Sequence, residues 1–212
     1  MKVPTTALQS ALINKFQIGL SEYGFSACEQ KGSFEKHMPS SSWVFRLGFI
    51  KHELDVDAIA SISVRLASLE ELLSQIDITK QSNGFSLGCE LGNLLDHRQK
   101  RWTMTSREDV EIVYKSILAM FVTTGVPYLE HFSIMHNALE IFSRDDKMGW
   151  LHCPVHVERA KRAIGAAFLL GNDTLLRELI QRKTAFLESR NDPDLPLFNR
   201  IKDNLQSRSM NI

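Results

Sequence analysis

The densest group of side chains able to bind a metal or move a proton lies between residues 131 and 156. His152 and His156 are four residues apart and Cys153 and His156 three apart, spacings that share one helix face and suit zinc ligands. Pro154 interrupts this segment, however, and no acidic residue separates the two histidines as in the metalloprotease motif. We therefore predict no metal site and no cofactor, and expect solvated or hydrogen-bonded histidines.

His131 and His136 complete the group and keep an enzymatic alternative open. Their spacing of five places them on different helix faces, so only the fold can bring them to His152 and His156. A small hydrolase would need two or more of these four histidines to meet in one pocket. Cys153 follows His152 directly, but the side chains of sequence neighbours diverge. Phosphate-binding loops, serine elbows and dinucleotide motifs are not recognisable, so we predict no catalytic residue.

Acidic side chains in two short stretches, 53–57 and 70–77, suggest binding rather than catalysis. We interpret both stretches as solvated loop edges whose combined charge would attract a basic protein surface. The predicted partner-binding residues are Glu53, Asp55, Asp57, Glu70, Glu71 and Asp77.

Composition excludes several classes of function. The 25 Lys and Arg residues balance 25 Asp and Glu residues, so the basic excess needed to bind nucleic acid is missing. No stretch approaches the roughly 18 uninterrupted apolar residues of a membrane span, and the N-terminus lacks the apolar core of a signal peptide. The three cysteines, Cys28, Cys89 and Cys153, do not form a disulfide framework. We expect a cytoplasmic protein with reduced thiols, able to self-associate.

The elements that must position these residues change character at Trp102. Before it, apolar residues recur as in short strands, and small links between them favour antiparallel pairing. A helix ending at Gly24 precedes these strands. The predicted elements are a helix over 6–23, a hairpin of 25–30 with 34–38, strands over 42–50, 58–66 and 85–95, and a helical link over 69–76.

After Trp102 the apolar spacing is helical almost to the C-terminus. Ser106 is the predicted N-cap of the first helix, and Gly125-Val126-Pro127 its predicted stop. Further helices are predicted over 128–143, from Pro154 onward, from an N-cap at Asp173, and over 196–205. The fold class is therefore α+β, with an α+β domain over 1–145 and a helical extension over 146–212.

Several aromatic and glycine landmarks follow an order known from one bacterial family. They are Tyr23-Gly24-Phe25, Lys31-Gly32-Ser33-Phe34, Trp43 with Phe45, Trp102, and Pro127-Tyr128-Leu129-Glu130. Over residues 8–143 the chain resembles the domain-of-unknown-function family numbered 4304. The resemblance implies an opening helix, a hairpin and a small antiparallel sheet, and it assigns no catalytic residue.

The same resemblance suggests toxin neutralisation, because related small α+β domains often occur beside bacterial toxin genes as immunity proteins. The leading hypothesis is thus a non-catalytic interaction module that occludes a cognate toxin. Alternatives are the histidine hydrolase and a scaffold that homodimerises through its tail, for which truncation after Arg144 would give a monomer.

Overall fold

The computed structural model describes residues 4–76, 84–96 and 98–209. An N-terminal helix, a small antiparallel sheet and a helical C-terminal region confirm the predicted α+β class. The elements in chain order are α1 (Thr5–Ser21), β1 (Ser26–Ala27), β2 (Ser33–His37), β3 (Ser41–Lys51), β4 (Val56–Leu66), α2 (Ala67–Ile76), β5 (Leu87–Glu90), α3 (Asn93–Asp96), β6 (Trp102–Met104), α4 (Arg107–Met120), a π-helical segment (Phe121–Gly125), α5 (Val126–Phe132), α6 (Met135–Ser143), α7 (Lys147–His152), α8 (His156–Leu169), α9 (Asp173–Ser189) and α10 (Leu195–Ser209).

The chain folds as two compact units, each built from two stretches of sequence. The first unit combines residues up to 64 with 88–131, and the second combines 65–87 with the residues from 132 onward. The predicted boundary at 145/146 therefore falls inside the second unit. The reason is that α6, which precedes this boundary, packs on α8, which follows it; α2 packs on α8 as well and so belongs to the same unit.

The long β3–β4 hairpin forms the middle of the sheet in the first unit. Its strand order is β1-β2-β3-β4-β5, and β6 also pairs with β4. On β3, which confirms the predicted strand over 42–50, Trp43, Phe45 and Leu47 are buried and share one face of the sheet. Phe45 lies opposite Phe34 of β2 and stacks on Phe16 of α1 at 5.0 Å between ring centroids. An aromatic core thus joins the first helix to the sheet.

Trp102 joins the sheet to the helix that follows. It lies opposite Ala58 in the β4–β6 pairing, and its side chain is 7 % exposed. Its indole N–H donates to Ser116 Oγ on α4 at 3.0 Å. The change from strand-like to helical apolar spacing at this residue therefore coincides with a buried residue that connects β6 to α4 within the first unit.

The helix that starts at Arg107 does not stop where the sequence predicted. Ser106 is its N-cap, in a capping box with Asp109. The chain then continues through Phe121–Gly125 as π-helix, where the Val126 N–H donates to the Phe121 carbonyl, and runs on as α5. Pro127 lacks an N–H, and the changed hydrogen-bond register of the π-helical segment accommodates it. The predicted stop at Gly125–Pro127 is therefore wrong.

Together these segments form a helix long and apolar enough, by length and composition alone, to cross a membrane. It runs over Arg107–Phe132, with a mean hydropathy of 1.4 in its best window and 39 % of that window buried. Its buried stripe of Val110, Val113 and Ile117 is also typical of a core helix in a folded domain.

Alanine-rich α8 lies at the centre of the second unit, where it packs on α2, α6, α9 and α10. Ala160, Ala163 and Ala166 are fully or almost fully buried. A Cβ added at Gly165 would come within 2.9 Å of Leu69 on α2, so small residues set this close approach. The N-cap of α9 is Asn172, not the predicted Asp173, because the Asn172 side chain accepts the Leu175 N–H at 3.0 Å.

Candidate functional site

A cavity of about 360 Å³ lies in the second unit. Its walls come from α2, from the chain at 84–86, from the segment that joins α7 to α8, and from α8 itself. Most of the surface that lines the cavity is apolar, and charged groups lie together on one side, which is the usual make-up of a ligand pocket. The lining residues are Glu70, Leu73, Ser74, Gly84, Phe85, Ser86, His152, Cys153, Pro154, Val155, Glu158, Lys161 and Arg162.

Arg162 organises the charged side of the cavity. Its Nε and Nη2 donate to the two oxygens of Glu70 at 2.8 and 3.3 Å, and Nη2 also donates to the Phe85 carbonyl at 3.2 Å. Nη1 donates to Glu158 Oε2 at 3.2 Å and to Cys153 Sγ at 3.9 Å. These five contacts match the five N–H groups of a guanidinium. Burial alone would lower the pKa of Arg162, but the carboxylates of Glu70 and Glu158 outweigh it and raise that pKa.

Glu70 does not lie on the predicted solvated edge. Its side chain is buried. Ser86 Oγ donates to its Oε1 at 2.7 Å, and Arg162 forms an ion pair with it. Ser86 Oγ in turn accepts a hydrogen bond from the Leu66 N–H at 2.9 Å. Glu71, the next residue on α2, is exposed, and Asp77 lies outside the described residues. Of the acids predicted in the 70–77 stretch, Glu71 is thus the one that the described residues place at the surface.

Glu158 bridges the two cations of the cavity wall. Its Oε1 accepts from Lys161 Nζ at 2.8 Å, while its Oε2 accepts from Arg162. With 15 % of its side chain exposed, Glu158 reaches solvent more than Lys161 (4 %), Arg162 (8 %) or Glu70 (3 %). The four charges balance, so this side of the cavity is electrically neutral.

The thiol in this wall is not set up as a nucleophile. Burial raises the pKa of Cys153 even though Arg162 and Arg159 lie near it, so the thiol stays protonated at neutral pH. Cys28 and Cys89 are free and half-buried, and burial raises the pKa of Cys89 to about 12. The expectation of free thiols is confirmed for all three.

The predicted histidine group does not meet in one pocket. His152 is buried and lines the cavity, whereas His136 is exposed on α6, and His131 belongs to the first unit. His156 packs against Phe186 at 5.1 Å between ring centroids, and burial lowers its pKa. Within the described part of the second unit, one of the three histidines reaches the cavity. The geometry therefore gives the hydrolase alternative no support.

Two further buried cations, Lys183 and Arg159, donate hydrogen bonds to carbonyl groups near the C-terminal end of α6. The sequence did not indicate that they are buried. Lys183 Nζ of α9 donates to Asp145 Oδ1 at 2.6 Å and to the Ser143 carbonyl at 3.0 Å. Arg159 of α8 donates to the carbonyls of Arg144 and Cys153 at 2.8 and 2.6 Å. Burial lowers the pKa of Lys183 to about 8. These contacts satisfy helix-end carbonyls and so have a structural role.

The other predicted acids lie at the end of the β3–β4 hairpin, in the first unit. The His52 N–H donates to the Asp55 carbonyl at 3.0 Å and closes the turn. Glu53 and Leu54 are exposed at its tip, Leu54 by 66 %, and Asp55 is half-buried. The turn thus presents an apolar side chain between two carboxylates.

Asp57 fixes the base of this turn. Its Oδ1 accepts from Thr103 Oγ1 at 2.6 Å, and its Oδ2 lies 3.2 Å from His52 Nε2 and 3.9 Å from Arg101 Nη1. The hydrogen bond from Thr103 is the main cause that lowers the pKa of Asp57. Donor atoms of His52, Asp55 and Asp57 lie within 4.8 Å of one another and could hold a metal ion. Thr103 and His52 already engage both Asp57 oxygens, which favours a structural role for this carboxylate.

No family model, no curated protein and no solved structure matches this chain. The resemblance to the 4304 family over residues 8–143 therefore stays a prediction.

Proposed function

We propose that this protein is a non-catalytic interaction module that binds a basic surface of a partner protein through the end of its β3–β4 hairpin. The observation that supports this proposal is the exposed Leu54 between Glu53 and Asp55. A partner that covers Leu54 would remove apolar surface from water, and the flanking acids would favour a basic partner and speed its association.

The hairpin end is held in one shape before binding. The turn is closed by the bond between His52 and Asp55, and its base is fixed by Asp57 with Thr103. A turn that is already ordered loses little conformational entropy when a partner binds, so more of the contact energy appears as affinity.

The partner that we propose is a bacterial toxin, and the activity is that of a cytoplasmic immunity protein. The hairpin would occlude a basic active site on the toxin. This part of the proposal rests on the resemblance to the 4304 family, whereas the choice of surface rests on the hairpin geometry.

The alternative of a dimerising tail is less well supported. The small residues of α8 that would permit close helix contact, such as Ala163 and Gly165, are already used inside the second unit. Truncation after Arg144 would remove α8, α9 and α10, which form much of that unit, and so would not test dimerisation.

The test is co-expression with the product of the neighbouring gene, followed by growth measurement and co-purification. We expect the wild-type chain to restore growth and co-purify. The double variant Glu53→Lys/Leu54→Arg should lose both, since loss of a hot spot costs about 2–4 kcal/mol, a 30-fold to 1000-fold weakening.

A matched control carries the same two changes on exposed residues of the second unit, Glu188→Lys and Leu170→Arg. This control should behave as wild type. Rescue by the hairpin variant would contradict the choice of surface, and absence of both rescue and co-purification with the wild-type chain would contradict the immunity function.

A further inference from the structure

We infer that the partner adds an extended basic segment as a further strand to the open edge of β3, the backbone of residues 49–51 on the side away from β4. This inference rests on the proposed function for the choice of surface, and it adds the conformation of the partner's segment. The open edge belongs to the first unit and lies directly before the turn that carries Glu53 and Leu54.

The strand β3 is longer than the strand that pairs with it on this side. Its neighbours in the described sheet are β2 and β4, and β2 pairs with it over residues 42–46. Among the described residues, the last backbone contact on the β2 side is the Leu47 N–H, which donates to the Gly32 carbonyl at 2.8 Å. β3 nevertheless continues to Lys51, so its final residues pair with β4 alone.

The chain that precedes β2 turns away from the open edge. Gly32 has a φ of 81°, a left-handed conformation that does not continue a strand. The Ser33 N–H donates to the Gln30 carbonyl at 3.0 Å and closes a turn. Residues 30–33 therefore stop β2 short of the end of β3.

Alternation along the strand identifies the backbone groups at the open edge. In an antiparallel strand, the N–H and C=O groups of successive residues point to opposite sides. Leu47 bonds toward β2, whereas His52 bonds across the hairpin to Asp55, so Phe49 and Lys51 direct their groups to the open edge. No backbone partner for them on this side occurs within the described residues. Unpaired groups of this kind are a template for another strand.

The side chains beside the open edge leave room for an added strand. Gly48 and Lys51 are exposed, and Phe49 and Ile50 are half-buried. Because successive side chains of a strand point to opposite faces, a neighbouring strand would cover part of Phe49 on one face and of Ile50 on the other. The segment should therefore carry apolar, strand-forming residues as well as charges.

The charge at this end of the hairpin favours a basic segment. The carboxylates of Glu53 and Asp55 outnumber the one cation of Lys51, while Asp57 has Arg101 at 3.9 Å as a balancing charge. A second copy of this chain would bring the same excess of negative charge. Complementarity therefore favours a basic partner over pairing between copies.

A short end-blocked peptide of alternating lysine and valine tests this inference on the full-length protein. NMR titration should show saturable binding with shifts at Phe49 and Ile50. Hydrogen exchange of the Phe49 and Lys51 amides should become slower, because both N–H groups then donate to the peptide. A peptide of alternating glutamate and valine should bind at least about 10-fold more weakly.

The variant Lys51→Pro provides the second measurement. It removes the N–H that faces the open edge and keeps the pairing with β4, since proline is tolerated where the N–H faces away from the sheet. Binding of the lysine peptide should fall at least about 10-fold, because a hydrogen bond is lost and the ring obstructs the added strand. The matched control Lys51→Thr removes the same charge and keeps the N–H, so it should bind at least as tightly as wild type.

The inference is overturned if the lysine peptide does not bind saturably, or if it binds without slowing exchange at Phe49 and Lys51. Unchanged binding in a folded Lys51→Pro variant would have the same consequence. Sedimentation that shows a wild-type dimer and a monomeric Lys51→Pro variant would replace the basic partner by a second copy.

The co-expression experiment separates this inference from the function on which it rests. Co-purification that persists in Lys51→Pro contradicts the added strand and leaves the immunity function in place. Peptide binding by a chain that neither restores growth nor co-purifies contradicts the immunity function and leaves the added strand in place.

Discussion

The buried ion pair between Arg162 and Glu70 gives the sharpest prediction about stability. Arg162→Met keeps an unbranched apolar stem, shorter than that of arginine, and removes its five donors. Glu70, with 3 % of its side chain exposed, would then keep Ser86 as a partner but no cation. The change would therefore leave an uncompensated charge in the interior of the second unit.

The magnitude follows from the burial of both partners. Removing one member of a buried, hydrogen-bonded pair costs about 3–5 kcal/mol in free energy of unfolding. Total stabilities of domains are about 5–15 kcal/mol, so this loss is a large share of the free energy of unfolding. The double variant Glu70→Met/Arg162→Met removes both charges and should recover much of that loss, because apolar replacement of a buried pair is often neutral.

Urea unfolding followed by circular dichroism measures these free energies. The matched control is Arg182→Met, which removes an arginine whose side chain is 46 % exposed and pairs with Glu178 at the surface. This control should cost less than about 1 kcal/mol. The reasoning is refuted if Arg162→Met costs no more than the control, or if the losses of the Glu70 and Arg162 single variants simply add in the double variant.

Two further predictions concern pH and packing. Burial lowers the pKa of Lys183 from 10.5 to about 8, so the unfolded chain binds more protons between these pH values. The free energy of unfolding should therefore rise by up to about 3 kcal/mol between pH 8 and 10.5. This rise should be missing from Lys183→Met. If the wild type and Lys183→Met show the same dependence of unfolding free energy on pH, the prediction is wrong. Gly19 lies against Tyr114, whose hydroxyl would clash with an added Cβ. Gly19→Ala should lower the melting temperature, and adding Tyr114→Phe to this variant should restore part of the loss. If thermal unfolding shows the same cost of Gly19→Ala with and without Tyr114→Phe, the clash does not determine the packing of α1 on α4 and the prediction is wrong.

Local patterns in the sequence predicted the strand β3 and the start of α4, but the predicted strand over 85–95 ends at Glu90 and continues as the short helix α3, and the predicted helix over 128–143 is divided between α5 and α6. The alternation of Trp43, Phe45 and Leu47 can bury its aromatic side only as a strand, and Ser106 with Asp109 can cap only the helix that follows. The π-helical segment was missed because Pro127 normally ends a helix, and no residue type marks the shift of register that lets the helix continue.

The cavity could not be predicted from the sequence because its polar contacts are non-local. Glu70 and Arg162 are 92 residues apart, and each lies among polar neighbours that are typical of a solvated helix face. One signal was available in α8, where small apolar residues occur on more than one face. A helix that is apolar around its circumference is usually buried, so its arginines and lysine needed buried partners.

The discontinuous second unit also sets an order of events on the ribosome. Chains are made at about 5–20 residues per second, so roughly 5–20 seconds pass between the synthesis of Glu70 and that of its partner Arg162. During this interval the leucines of α2, Leu69, Leu72 and Leu73, have no α8 to cover them. The nascent chain therefore carries an uncovered apolar helix while 92 of its 212 residues are made, and a chaperone that binds such segments would meet it at residues 67–76.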